Sequence, residues 1–121
     1  MSRIVLFFSL LGSPILSAEG DWPIWRGPRG DGTVTETGFP TRWTATENVR
    51  WKTALPGRGH SSPIIWGDRV FVTAALETGD PKSTEPMDRL LICIDRKQGK
   101  ILWEKSVLKS PLENLHKLNS R

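Results

Sequence analysis

Between Ser62 and Val107 the sequence contains four short apolar or alternating segments separated by turn residues, and it shows no helical periodicity. Gly67-Asp68 is a two-residue loop of the kind favoured in tight hairpins, and Arg96-Lys97-Gln98-Gly99 predicts a second tight turn. Segments of this length joined by such turns are typical of an antiparallel meander. The pattern therefore predicts an all-β fold with one four-stranded antiparallel sheet. The predicted strands are residues 62–66, 69–76, 90–95 and 100–107.

Size and charge exclude several classes of protein. The chain has 121 residues, with 17 Lys+Arg against 13 Asp+Glu and a formal net charge of +4. At roughly 100–150 residues per domain, this length allows one domain at most. Because the basic residues are scattered rather than gathered in one stripe, nucleic acid is not an expected partner. The single cysteine, Cys93, excludes an intramolecular disulfide and a Cys-based zinc site, and its apolar neighbours predict that it is buried.

The first residues have the pattern of a secretory signal peptide. Arg3 provides a positive start, residues 4–16 are almost entirely apolar, and small residues follow them. The apolar run is shorter than the roughly 20 residues that a membrane-spanning helix needs, and an uncleaved N-terminal anchor is the alternative. We therefore predict a signal peptide over residues 1–18, with cleavage after Ala18 or Gly20. This predicts a periplasmic or secreted protein with no membrane attachment after cleavage.

The next part of the chain differs in composition from the predicted sheet. Residues 19–47 are rich in Gly, Pro, Thr and Trp and have neither a helical nor a strand period, which predicts an irregular arm. Trp22, Trp25 and Trp43 are expected to pin this arm to a surface. Residues 48–56 begin with alternating apolar and polar side chains and predict a separate strand.

Two further segments lie outside the predicted strands. Residues 77–88 contain Gly, Pro and acidic side chains, which predicts a surface loop. Residues 108–121 are predicted to be a linker. Within them, Ser110 to Glu113 has capping-box spacing, which favours one or two helical turns.

The most specific pattern is residues 93–103, Cys-Ile-Asp-Arg-Lys-Gln-Gly-Lys-Ile-Leu-Trp. Asp95 is suited to accept backbone hydrogen bonds across a turn, and Gly99 is suited to a positive φ. Trp103 offers a large flat face to a neighbouring element. The segment resembles the tryptophan-docking repeat of the pyrroloquinoline-quinone-type (PQQ-type) β-propellers, A-x-D-x-x-T-G-K-x-x-W. The matching residues are Asp95, Gly99, Lys100 and Trp103.

Other parts of the chain resemble the same family, which is also known as quinoprotein alcohol dehydrogenase-like. Cys93 and Gln98 depart from the repeat, since Ala and Thr are usual at those places. Residues 61–72 resemble the start of the repeat, and residues 21–32 resemble the opening of exported members from planctomycete-type bacteria. Residues 113–120 resemble the segment that leads into a next blade. The resemblance covers nearly the whole mature chain.

The resemblance implies a particular domain organisation. Trp51 and Trp103 are 52 residues apart, which is close to one propeller blade. Residues 61–107 are then one four-stranded blade, and residues 48–56 are an orphan strand that completes another blade. A propeller of 4–8 blades needs at least roughly 160 residues, so the chain is expected to be an N-terminal fragment of a larger ring.

The resemblance leaves two functions open. Cofactor-using members hold the quinone on a Trp in the central channel, capped by a vicinal Cys-Cys pair, with calcium ligands and a catalytic Asp. A chain with one Cys has no such pair, and we expect no catalytic, cofactor-binding or metal-binding residue here. The favoured interpretation is a non-catalytic binding or scaffold module with an unidentified protein or small-molecule ligand. The alternative is a fragment of a PQQ-dependent alcohol or sugar dehydrogenase, in which only the intact parent holds PQQ and calcium.

Several other residues are of types that occur in functional sites. His60 and His116 are the only histidines and lie in separate segments, which disfavours a metal site or a Ser–His pair. Arg29-Gly30-Asp31 spells a cell-adhesion tripeptide, but the favoured interpretation is a Gly-rich turn with a buried arginine. The acids of the predicted loop lack the residue order of a calcium-binding loop. These acids are Glu77, Asp80, Glu85 and Asp88.

Overall fold

The computed structural model describes residues 20–76 and 85–111, which include one four-stranded antiparallel sheet. The strands are adjacent in sequence order and contain no crossover. They are β1 (Ile64–Trp66), β2 (Arg69–Ala75), β3 (Met87–Asp95) and β4 (Ile101–Ser110). The described residues contain no helix, and so none with the length and apolar character needed to cross a membrane. The predicted all-β meander, with the form of one propeller blade, is confirmed.

The hairpin of β3 and β4 is longer than the sequence predicts. β3 begins at Met87 rather than at residue 90, and β4 ends at Ser110, where these two residues pair. Residues 87–88 of the predicted loop and residues 108–110 of the predicted linker are therefore strand. These additional residues are strand because they pair across the hairpin. Met87 is buried there, and Ser106 Oγ donates to a carboxylate oxygen of Asp88 at 2.6 Å.

The edge strand β1 is shorter than predicted. β1 begins at Ile64 rather than at residue 62, immediately after Pro63, which has no backbone N–H to contribute to a ladder. The N–H of Thr73 on β2 donates to the side chain of Ser61 at 2.9 Å. A serine hydroxyl thus takes the place of a strand carbonyl at this point.

Residues 48–56 do not form the predicted strand. They have no ladder partner among the described residues, and a strand needs one to satisfy its backbone groups. Instead Trp51 packs against the hydrophobic core of the sheet, and its contacts are made by side chains. Whether this segment completes another blade stays a prediction.

The two faces of the sheet are covered to different extents. The face that we call the closed face is the core, on which the partly buried Trp51 and Ile65 pack. Its buried residues are Val70, Val72, Ala74, Leu90, Ile92 and Ile94. The opposite face, here called the open face, carries a row of directly paired residues, Ile64, Phe71, Cys93 and Trp103. Cys93 is buried there, as predicted, while Trp103 remains 43% exposed.

The arm contacts the sheet at one of its three predicted anchors. Trp22 forms an isolated antiparallel bridge with Ile65, through N–H···O bonds of 2.9 and 3.0 Å. Trp25 and Trp43 are 69% and 68% exposed, so they do not pin the arm to this sheet. The arm turns back on itself after Trp22, and the ring of Trp25 meets the guanidinium of Arg26 at 4.8 Å instead of the sheet.

Some predictions concern residues that the structure does not describe. The signal peptide over residues 1–18, the loop residues 77–84 and the possible helical turn after Pro111 lie outside the described residues. Most of the predicted linker, residues 112–121, does so too.

Candidate functional site

The hairpin between β3 and β4 closes on a tight turn, residues 95–99, which we call the motif turn. Asp95 Oδ1 accepts hydrogen bonds from the N–H groups of Lys97 at 2.9 Å and Gln98 at 2.7 Å. The N–H of Gly99 donates to the carbonyl of Asp95 at 2.8 Å, and Gly99 has a φ of +71°. A carboxylate that accepts two backbone donors and a glycine with positive φ together fix the shape of the turn.

Replacing Asp95 with alanine is expected to lower the free energy of unfolding by about 1–2 kcal/mol, because two N–H groups lose their acceptor. Asp95→Asn retains an oxygen in the same place and is expected to lose less than half as much. Urea denaturation followed by far-ultraviolet circular dichroism measures both. An equal loss in the two variants would contradict this role of the carboxylate.

The motif turn is covered by an indole from a distant part of the chain. Trp51 Nε1 donates to the carbonyl of Arg96 at 2.9 Å, and Thr53 Oγ1 donates to the carbonyl of Gly99. A Cβ atom on Gly99 would lie 2.5 Å from the Trp51 ring, so only glycine lets the ring lie this close to the backbone. Residues 51–53 are therefore held to the turn by one ring contact and two hydrogen bonds.

A second group of contacts joins the arm, the β1–β2 turn and the motif turn. Asp21 is 7% exposed, and its Oδ1 accepts the N–H of Gly67 at 2.8 Å. Arg96 donates from its backbone N–H to the carbonyl of Asp68 at 3.1 Å and from Nη1 to the carbonyl of Gly67 at 3.2 Å. No sequence pattern predicts this arrangement, since the residues are far apart along the chain.

Asp21→Ala is expected to loosen the start of the arm, since hydrogen bonds to a charged acceptor contribute about 1.5–3 kcal/mol. We expect the Ile65 amide, which donates to Trp22, to exchange its hydrogen about tenfold faster or more. Hydrogen-exchange NMR on the variant measures this rate. Glu36→Ala, which removes an exposed acid from the same arm, should leave the rate unchanged, and equal rates in the two variants would contradict the contact.

The side chains of the other two motif residues lie apart from the motif turn. Lys100 has an exposed side chain and contributes to the motif turn only through its backbone carbonyl, which accepts the N–H of Asp95 at 2.8 Å. Trp103 is on the open face, where its ring meets that of Phe71 with centroids 6.1 Å apart and planes tilted by 52°. Trp103 thus does not touch the motif turn of its own blade as Trp51 does.

His60 borders a shallow cleft of about 420 Å³. The cleft lies between strand β2 and the segment that precedes β1. Arg58 and His60 supply polar groups, and Leu55 and Val72 supply apolar ones. The hydroxyl of Ser61, also at this cleft, already accepts the Thr73 N–H. His116 lies outside the described residues.

The Arg29-Gly30-Asp31 segment is an exposed turn. Asp31 Oδ1 accepts hydrogen bonds from the backbone N–H and the hydroxyl of Thr33, each at 2.8 Å. These bonds, the backbone one first, hold the pKa of the Asp31 carboxyl below its usual value. Arg29 also pairs with Asp31 at 3.6 Å, so both charged groups of the tripeptide bind within the loop itself.

The available side chains do not fit a quinone and calcium site of the kind that the resemblance implies. The single cysteine, Cys93, is 1% exposed and lies on strand β3, between its paired neighbours on β2 and β4. Within residues 20–76 and 85–111, no three His, Cys, Asp or Glu side chains are grouped closely enough to hold a metal ion. We therefore derive no reaction step through these groups.

Comparison with models of known protein families gives a match over most of the chain. Residues 30–118 match the family model described as outer membrane protein assembly factor BamB, a model of PQQ-type repeats. No curated protein and no solved structure gives a significant match. The matched range contains the whole sheet, the motif turn and Trp51. The chain belongs to this PQQ-like β-propeller repeat family.

Proposed function

We propose that this chain is part of an exported, non-catalytic β-propeller that acts as a binding or scaffold module in the periplasm or outside the cell. In this proposal the sheet is one blade of the ring. Its motif turn and open face are the surfaces through which it joins its neighbours.

The observation that carries the proposal is the contact between Trp51 and the motif turn. An indole that donates to the carbonyl of Arg96 and lies on Gly99 fastens a separate segment to the blade. Trp103 follows Trp51 by 52 residues and is 43% exposed on the open face. We infer that Trp103 docks in the same way on the motif turn of a neighbouring blade. This docking explains why a large apolar side chain faces outward from a single blade.

A non-catalytic role is supported by the side chains rather than by any bound group. The vicinal Cys-Cys pair of cofactor-using relatives needs two cysteines, and the chain has one. The motif turn, the strand ladder and the docked indole of Trp51 serve to build a surface. A protein or a small molecule is the expected ligand of such a surface, and scattered basic residues disfavour nucleic acid.

Export is supported by the charged start, apolar run and small residues of the segment 1–18. The family match is in keeping with this location, since its model is named for a factor of outer-membrane protein assembly. If the proposal holds, the exported chain begins at residue 19 or at residue 21, as its intact mass would show.

Incubation with PQQ and Ca²⁺ of an intact propeller that contains this chain tests the function, because the dehydrogenase alternative places both groups only in the intact parent. We expect no saturable quinone binding in a fluorescence titration and no dye reduction with alcohols or sugars. A quinoprotein dehydrogenase assayed in parallel controls for active cofactor. PQQ-dependent dye reduction by the intact protein would overturn the proposal and favour the dehydrogenase alternative.

A further inference from the structure

The blade has a complete contact on one face and an unfinished one on the other. On the closed face, Trp51 covers the motif turn and packs against the core. On the open face, Ile64 and Trp103 are 37% and 43% exposed. Trp103 Nε1 donates no hydrogen bond within residues 20–76 and 85–111, although the equivalent atom of Trp51 does.

Each copy of the chain therefore carries both partners of the same contact. The motif turn is a receptor for an indole, and Trp103 is an indole that has no such receptor among the described residues. We propose that copies of this chain associate head to tail, with Trp103 of one copy replacing Trp51 on the motif turn of the next. Residues 48–56, the Trp51 segment, then act as a built-in cap on the association surface. The inference rests on the indole docking of the proposed function, but it requires neither export nor the absence of catalysis.

The surfaces that would meet are chemically matched. When the Trp51 segment leaves, it uncovers part of the closed face, which is made of aliphatic side chains such as Val70 and Ile94. The open face that replaces it presents Ile64, Phe71 and Trp103. Burial of one apolar face against another is the main favourable contribution to such an association. Because the two contacting faces differ, the contact is repeated from copy to copy and is not limited to a dimer.

Competition between the two indoles sets the concentration at which association begins. Trp51 is tethered to its own turn, and tethering gives an effective concentration in the millimolar range. Trp103 of another copy replaces it only when the protein concentration approaches that value. The wild-type chain is therefore expected to be monomeric at micromolar concentration.

Sedimentation velocity on four full-length chains, from about 10 µM to about 1 mM, tests the proposal. The chains are wild type, Trp51→Ala, Trp103→Ala and the double variant. We expect Trp51→Ala to associate at a concentration about a hundredfold lower than wild type, because the tethered competitor is gone. The double variant and Trp103→Ala should stay monomeric. All four chains share residues 1–19, so association through that segment would appear in all of them equally.

A second variant keeps the test valid if Trp51→Ala lacks a stable fold. Trp51→Phe keeps an apolar ring but cannot donate to the Arg96 carbonyl, and it should shift association in the same direction by a smaller factor. Circular dichroism at each concentration reports folding, and if Trp51→Ala is unfolded throughout, the Trp51→Phe result decides.

The proposal is overturned if both Trp51 variants associate no more than the wild-type chain does. It is also overturned if Trp51→Ala and the double variant associate equally. Loss in Trp51→Ala of an association seen in wild type would also overturn it, in favour of exchange of the Trp51 segment between copies. None of these outcomes alters the quinone assay, so the two proposals fail separately.

Discussion

Gly99→Ala is expected to lower the free energy of unfolding by about 3 kcal/mol. The new methyl group would lie 2.5 Å from Cδ2 of Trp51, so the indole must leave the motif turn. Loss of burial of a large apolar side chain costs about 1.5–3 kcal/mol. A left-handed backbone adds about 1–2 kcal/mol for a residue with a Cβ, and Gly99 has a φ of +71°. Urea denaturation followed by circular dichroism measures the sum.

Gly67→Ala is the matched control for this prediction. Gly67 also has a positive φ, +56°, but an added Cβ there meets no atom within 4 Å. Only the backbone cost, about 1–2 kcal/mol, is expected. If the two alanine variants lose the same stability, the contact between the indole and Gly99 contributes nothing measurable and our description of the motif turn is wrong.

Ile92→Ala is expected to cost about 2–5 kcal/mol, the range for removing a large buried aliphatic side chain. Ile92 is fully buried at the centre of β3, where no solvent reaches it. A single sheet with one open face has little stability in reserve, so this variant is expected to be largely unfolded at 25 °C. Circular dichroism and the dispersion of amide NMR signals report this directly.

Two further variants calibrate the Ile92 result. Ile92→Val removes one methylene group and should cost about 0.5–1.5 kcal/mol. Leu102→Ala removes a similar volume at a position that is 41% exposed, so it should cost much less than Ile92→Ala. A folded Ile92→Ala variant with near wild-type stability would show that the core lies elsewhere.

The hairpin turns and the buried strand followed from the sequence because their causes are local. Gly67-Asp68 and the Asp95 to Gly99 segment contain the residues that each turn needs within a few positions. The apolar neighbours of Cys93 predicted that it is buried, and Ile92 and Cys93 are the most deeply buried side chains described. Local sequence is sufficient where a single turn or one strand decides the outcome.

The strand ends and the arm contacts did not follow, because they depend on distant partners. β3 begins early only because Met87 pairs with Ser110 on β4. Residues 48–56 have strand-like alternation but no neighbouring strand with which to pair. Composition also does not distinguish Trp22, which bridges to the sheet, from Trp43, which is exposed. Each of these outcomes is set by tertiary contacts rather than by propensity.

The residues that shape the motif turn could be predicted from the sequence, but the side chain that covers the turn could not. The resemblance to the family repeat singled out Asp95 and Gly99, which shape the motif turn. The arrival of Trp51 on that turn is a contact across 45 residues, and only its spacing from Trp103 pointed to a shared role. The use of Arg96 to join two turns had no sequence signal at all.

Trp51 lies on Gly99 and completes the blade, and proton NMR reports this contact without any substitution. The indole ring current should shift the Hα protons of Gly99 well upfield. Nuclear Overhauser contacts should join those protons to the Trp51 ring, and the Nε1–H, bonded to the Arg96 carbonyl, should exchange slowly. Ordinary Gly99 shifts, no contact to the ring and a rapidly exchanging indole proton would contradict the account.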